Sequence, residues 1–152
     1  MSPAAQPRTR AERKADTLAK LTAPATDAWV ASADDQGPYL VPLSLVWHED
    51  QIVLALDGTS RTAQNIAANG AARLGLGPTR DVVLIDAILA DVIPVAEAGD
   101  VADAYAAQCD WDPRRSGAPY VYLVLRPTRI QAWREANEIP GRTLMRDGAW
   151  LP

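Results

Sequence analysis

The residues best suited to chemistry crowd into one short stretch, "DGTSRTAQN", Asp57 to Asn65. It follows the apolar run "QIVLAL" and leads into "RTAQNIAAN", so it marks a strand giving way to a helix. A helix that starts near Arg61 exposes unpaired N–H groups in its first turn, and its dipole makes that end positive. Ser60, with Thr59 or Thr62, adds hydroxyl donors, and Arg61 adds a guanidinium that can grip two oxygens at once. These are the ingredients of a phosphate site at a helix N-terminus, with Gly58 allowing close approach to a ligand. The same residues also serve as ordinary helix caps, so spacing alone leaves both readings open.

Other chemistries have less to work with. One histidine, His48, and one cysteine, Cys109, cannot build a His/Cys-rich zinc centre. His48 falls in "WHEDQ", a turn tip between two strands, and reads as a solvated turn residue rather than a catalytic base. Cys109 ends a helix, carries no supporting motif and reads as an inert thiol that fits a reducing compartment. The net charge of -4 argues against a nucleic-acid partner, which would require clustered positive charge. No apolar run is long enough for a membrane span, and the polar opening "MSPAAQPRTRAERK" lacks the apolar region of a secretory signal. The expectation is a cytoplasmic protein with neither a membrane nor a nucleic-acid partner.

The elements that must position the Ser-Arg-Thr stretch follow from the periodicity. Residues 1–8 read as a flexible tail and the remainder of 1–152 as one domain. "TRAERKADTLAKL" has a capping box, Thr9 with Glu12, an apolar face of Ala11, Ala15, Leu18 and Leu21, and a basic outer face of Arg10, Arg13 and Lys14. "DAWVASA", "YLVPLSLVW" and "QIVLALD" form a three-stranded meander. Pro42 cannot donate to a ladder, so it belongs at an edge or bulge, where the backbone beside Ser44 stops pairing. The helix after Ser60 puts Ala63, Ile66 and Ala67 on one face and stops at Asn69-Gly70. "AARLGLG" and "DVVLIDAILADVIPV" are the fourth and fifth strands. "EAGDVADAYAAQC" is a helix with Val101, Ala104, Tyr105 and Ala106 near its apolar stripe. "YVYLVLRPTRIQAW" is the sixth strand, bending at Pro127, and Asp147-Gly148 makes a turn in the last segment. The pattern predicts a mainly β (α+β) domain, a closed or partly closed antiparallel barrel with small peripheral helices.

The succession "WVASADDQGPYLVPLSLVWHEDQIVLAL", "SRTAQN" and "ARLGLGPTRDVVLIDA", with the ending "IQAWREANEIPGRTLMRDGAWL", resembles the pyridoxamine-5'-phosphate-oxidase-like split β-barrel family, in its flavin- and deazaflavin-dependent oxidoreductase branch. The likeness runs from about Arg10 to Leu151 and rests on the order and spacing of these stretches together. It implies a six-stranded antiparallel split β-barrel of the FMN-binding type that forms a homodimer, with cofactor at the subunit interface.

Carried over by position, Ser60, Arg61 and Thr62 would hold the cofactor phosphate and Asn65 would support that turn. Val41, Pro42, Leu43 and Ser44 would lie along the tricyclic ring. Thr79 and Arg80 in "GPTRD" would add a polar contact from the same or the other subunit. Trp133 and Trp150 are candidate pocket walls or simple packing residues. Tyr120, Tyr122, Arg114 and Arg115 are candidates for the substrate side. Many FMN-using members carry a Lys shortly after the first Arg or Ser, where this chain has Thr62, Ala63 and Gln64. That departure leaves a deazaflavin (coenzyme F-420) at least as good a fit as FMN. The implied activity is hydride transfer from the reduced cofactor to a small electron-poor organic substrate. The alternative is a non-catalytic carrier of a cofactor or of haem on the same fold.

Overall fold

The computed structural model describes residues 5–152. Helix α1, Arg10–Thr22, opens the fold and carries the expected capping box: Thr9 Oγ1 accepts from the Glu12 N–H, and the Glu12 carboxylate accepts from the Thr9 N–H. Strands β1, Asp27–Asp34, β2, Gly37–His48, and β3, Gln51–Asp57, form the meander. Helix α2, Arg61–Asn69, leads to β4, Ala71–Leu76, and β5, Val82–Pro94. Helix α3, Gly99–Gln108, precedes the long β6, Tyr120–Trp133, and a closing hairpin of β7, Thr143–Arg146, and β8, Ala149–Trp150.

All strand pairs are antiparallel, in the order β3-β2-β1-β4-β5-β6, and pairing of β3 with β6 closes a six-stranded barrel. The hairpin β7-β8 extends β6 beyond the barrel wall. Two strands change partners along their length, and this splits the barrel. The first half of β6 lies between β3 and β5, while Ile130 and Gln131 lie between β5 and β7. The change follows a bulge at Pro127–Arg129, where the sequence places the bend. In β2, residues 45–48 pair with β3, but residues 37–44 pair with β1 alone. Pro42 therefore sits on a strand with one open edge, as the missing donor requires.

The barrel is filled by aliphatic side chains. Leu21, Val30, Leu45, Ile52, Leu54, Ile66, Leu74, Ile85, Leu125 and Ile130 are fully buried in one cluster. A second cluster under α3 gathers Val46, Val53, Ala102, Tyr105 and Tyr122. Period-two alternation in β1 and β5 sends Val30, Val83, Ile85 and Ala87 inward, as expected for a strand with one face on the core.

The helices correct several expectations. The buried face of α1 is Arg13, Thr17 and Leu21, whereas Ala11 and Ala15 are exposed. Arg13 does not belong to a basic outer face: its guanidinium donates to the carbonyls of Ala132, Glu138 and Gly141. Alanine offers too little area to orient a helix against those unpaired carbonyls. In α2, Ala67 is exposed, and Thr62, Ala63, Asn65 and Ile66 face inward. Ala102 shares the buried face of α3 with Tyr105. Of the expected tail, residues 1–4 lie outside the described residues, and Arg8 is fixed by Glu138, whose Oε1 lies 2.7 Å from its Nη2.

Candidate functional site

The junction at Asp57–Asn65 folds as a capped helix start. Ser60 is the N-cap, with its Oγ accepting from the Ala63 N–H at 3.2 Å. The Ser60 N–H donates to Asp57 O, and the Gln64 N–H donates to Ser60 O. The N–H groups of Arg61 and Thr62 are left without a partner among the described residues. The helix then ends at Gly70, whose φ of 70° gives the left-handed C-cap that Asn69-Gly70 predicts.

The side chains around this start are divided in direction. Arg61 points outward, with its Nε 3.4 Å from Asp34 Oδ2 and its guanidinium 4.5 Å over the ring of Tyr39. Thr62 is only 3% exposed, so its side chain faces the interior and not a ligand. Asn65 is buried too and donates to Ser32 Oγ at 3.1 Å, tying α2 to β1. Gly58 approaches Pro119 rather than a ligand: its N–H donates to Pro119 O, and a Cβ would come within 3.0 Å of that oxygen. Asp57 accepts from the Thr59 hydroxyl and N–H, which hold its carboxyl below the usual carboxylate range. The cationic elements of the junction, Arg61 and the helix start, thus have two carboxylates for neighbours, Asp34 and Asp57.

The β2 segment lies beside this junction through Tyr39. Leu45 N–H donates to Thr26 O on the β1 side, so strand alternation turns the main chain of Leu40, Pro42 and Ser44 toward the open edge. Val41 and Leu43 are half-buried and pack on the barrel core. Pro42 faces outward opposite Trp29, and Ser44 Oγ donates to Asp27 at 2.8 Å. Trp29 and Leu40, each 57% exposed, stand on the same outer face. A cavity of about 520 Å³ opens there, lined in part by Ala31, Ala33, Pro38, Asn69, Ala71 and Ile88. An ion pair crosses its floor, Arg73 to Asp86 at 2.5 Å.

The remaining candidates lie elsewhere. Thr79 and Arg80 follow β4 at the end of β1 opposite Asp34, and Arg80 is engaged with Glu135 at 2.8 and 3.0 Å. Within one chain they do not join the Ser60–Asn65 junction. Trp133 is half-buried under Arg142, whose guanidinium lies 5.5 Å from the ring, and Trp150 packs on the core under Lys14. Tyr122 is sealed in the second cluster against Tyr105, and Tyr120 packs edge-on to Trp111. Arg114 is clamped by Asp112 and Asp103, while Arg115 is exposed. Burial of Tyr122 removes it from any substrate surface, because an aromatic in a strand next to a helix serves the core first. His48 lies at the β2–β3 turn, far along β2 from Pro42. Among the described residues no three His, Cys, Asp or Glu side chains gather as a metal site, and no helix is long and apolar enough to cross a membrane.

Reading by motif missed Trp29, Asp34, Tyr39 and Leu40. The available signal was alternation in "DAWVASA", which puts a tryptophan on the same face as Ala31 and Ala33, where small neighbours leave its ring uncovered.

No protein-family model matches the chain, and no curated protein matches it by sequence. Solved structures do. An "F420 Reductase" superposes with a TM-score of 0.59 at 19% identity, covering 74% of this chain and 93% of that one. A putative pyridoxamine 5'-phosphate oxidase from Listeria innocua gives 0.62 at 11% identity, covering 82% of this chain and 98% of that one. A heme binding protein from Mycobacterium smegmatis gives 0.57 at 15% identity, covering 91% of this chain and 58% of that one. A closed six-stranded antiparallel barrel with three helices outside it, shared with these structures over most of its length, gives the chain the split β-barrel fold of the pyridoxamine-5'-phosphate-oxidase-like proteins.

Proposed function

We propose that this chain binds a phosphorylated, planar redox cofactor of the flavin class, a deazaflavin (coenzyme F-420) or FMN, and uses it to reduce a small electron-poor organic substrate. The observation that carries the reading is the meeting of two features: unpartnered N–H groups at Arg61 and Thr62, and the unpaired edge of β2 at Leu40, Pro42 and Ser44. The first suits a phosphate and the second suits the hydrogen-bonding rim of a tricyclic ring. The residues present fit such a group. Arg61 is exposed enough to swing from Asp34 to a phosphate, and the Ser60 hydroxyl keeps a proton to donate while its oxygen caps α2.

In this reading Arg61 and the start of α2 bind the phosphate, and Asn65 fixes α2 against β1 through Ser32. The open main chain of β2 orients the ring, and Pro42 leaves room by removing a donor. When bound, the cofactor supplies the hydride chemistry, so the chain needs no acid-base pair of its own. Trp29, Leu40 and the 520 Å³ cavity form the face on which a second copy would close the site and exclude water. The neighbours named F420 reductase and pyridoxamine 5'-phosphate oxidase support this choice of cofactor class.

The carrier alternative uses the same slot without turnover. Its haem form lacks support from the single histidine, because His48 lies at the β2–β3 turn rather than beside the cavity. Fluorescence titration of the protein with FMN and with the deazaflavin, followed by reduction of enones and quinones under the tighter one, separates the cases. Binding with turnover is the expected result. Binding without turnover on any acceptor establishes the carrier, and binding of neither cofactor overturns the reading.

A further inference from the structure

Six of the thirteen arginines, Arg8, Arg61, Arg73, Arg80, Arg114 and Arg134, form ion pairs with carboxylates. Four of the others gather in one place. Arg10 of α1, Arg129 of β6, Arg142 before β7 and Arg146 of β7 converge on a cavity of about 270 Å³ whose lining holds no acidic residue. Among the described residues, Arg129 and Arg146 make no ion pair or side-chain hydrogen bond. Arg142 rests only on the ring of Trp133, and Arg10 donates only to the main-chain oxygen of Pro152. An adjoining cavity of about 210 Å³ shares Arg129, Gln131 and Arg142, and its one carboxylate, Asp86, is held by Arg73 at 2.5 Å.

Arg10 has an oxygen of Pro152 for a partner, but the guanidiniums of Arg129, Arg142 and Arg146 have no acceptor among the described residues and repel one another. The whole protein is acidic, with a net charge of -4, so the concentration of positive charge here is local. Guanidinium forks match the paired oxygens of carboxylate or phosphate. The volume suits a compact anion and falls below the usual range for a drug-sized or tricyclic ligand. We propose that this cleft between α1 and the β6-β7 extension is a second binding site, for a small multivalent anion presenting carboxylate or phosphate groups. It stands apart from the α2 junction, whose contacts run to β1 and β2, and it does not depend on the cofactor assignment.

Calorimetric titration of the full chain with pyrophosphate and with citrate, at low chloride, tests this. Saturable binding of one anion per chain is expected, weakened at least about tenfold in Arg129→Gln/Arg142→Gln and retained in Arg61→Ala, the scale of lost charge-assisted hydrogen bonds. Because Arg142 packs on Trp133, Arg129→Gln/Arg146→Gln serves as a second variant that leaves that stack intact. Binding of pyrophosphate only, or of citrate only, supports the site and names its ligand chemistry. Three results overturn it: no saturation by either anion, loss of binding in Arg61→Ala, or an equal loss in Arg115→Gln/Arg126→Gln, which would show a diffuse effect of total charge.

Discussion

Arg61 holds its guanidinium against Asp34, Nε to Oδ2 at 3.4 Å, while lying over the ring of Tyr39 at 4.5 Å. The pair is loose and partly solvated, so it contributes little stability, on the order of 0–1 kcal/mol. Its consequence is competitive, because a phosphate at the start of α2 must draw Arg61 away from a carboxylate. Asp34→Asn is therefore expected to tighten binding of the phosphorylated cofactor a few-fold, by roughly 0.5–1 kcal/mol, with the gain shrinking at high salt. Weaker binding in a titration of that variant would instead make Asp34 the group that aims Arg61.

Arg13 replaces the expected alanine face of α1, and its removal should be costly. Arg13→Ala would strand the carbonyls of Ala132, Glu138 and Gly141 and leave a cavity beside them. A loss of about 2–4 kcal/mol is expected in urea unfolding. Arg13→Lys should recover only part of it, since a lysine loses the Nε donation to Arg8 O that accompanies the Nη1 contacts. A change within about 0.5 kcal/mol would place Arg13 in solvent.

Glu138 ties the β6-β7 connection to the start of the chain. Its carboxylate accepts from the Arg8 main chain and guanidinium and from the Arg134 N–H, and Arg8 chiefly holds its pKa down at about 2, against an ordinary 4.5. A depressed carboxylate pKa stabilises the fold above the unfolded pKa, and that stability is lost as pH falls through the folded one. Wild-type stability should decline from about pH 5 toward pH 2 more steeply than that of Glu138→Gln, measured as the urea midpoint at each pH. Parallel declines would remove Glu138 from the acid response.

Much of the scaffold was legible from the sequence because its strands carry an aliphatic alternation and its turns carry their own chemistry. The capping box at Thr9, the stop at Gly70, the bend at Pro127 and the open edge at Pro42 are each local decisions made by residue type. The directions of Arg13, Thr62 and Tyr122 were not legible, because each is set by partners distant in sequence. Carbonyls after β6 draw Arg13 inward, β1 receives the face of α2 that buries Thr62 and Asn65, and α3 covers Tyr122. Of the candidate site, Ser60 and Arg61 stand where spacing put them. Thr79 and Arg80 do not approach them within one chain, and Asp34 and Trp29 were hidden in an ordinary strand.

The exposed pair Trp29 and Leu40 gives the association proposal its own test. Trp29→Asp and Leu40→Asp are expected to shift the protein from dimer to monomer in analytical ultracentrifugation, with folding stability changed by about 0.5 kcal/mol or less. A wild-type chain that sediments as a monomer at cofactor saturation would contradict the shared-site arrangement.

The central claim is that the start of α2 grips a cofactor phosphate, and Arg61→Ala addresses it most directly. Titrated beside the wild type with whichever cofactor binds, this variant should lose about 1.5–3 kcal/mol of affinity, the value of a charge-assisted hydrogen bond, and keep its thermal midpoint. Unchanged affinity in a folded Arg61→Ala protein would contradict the account.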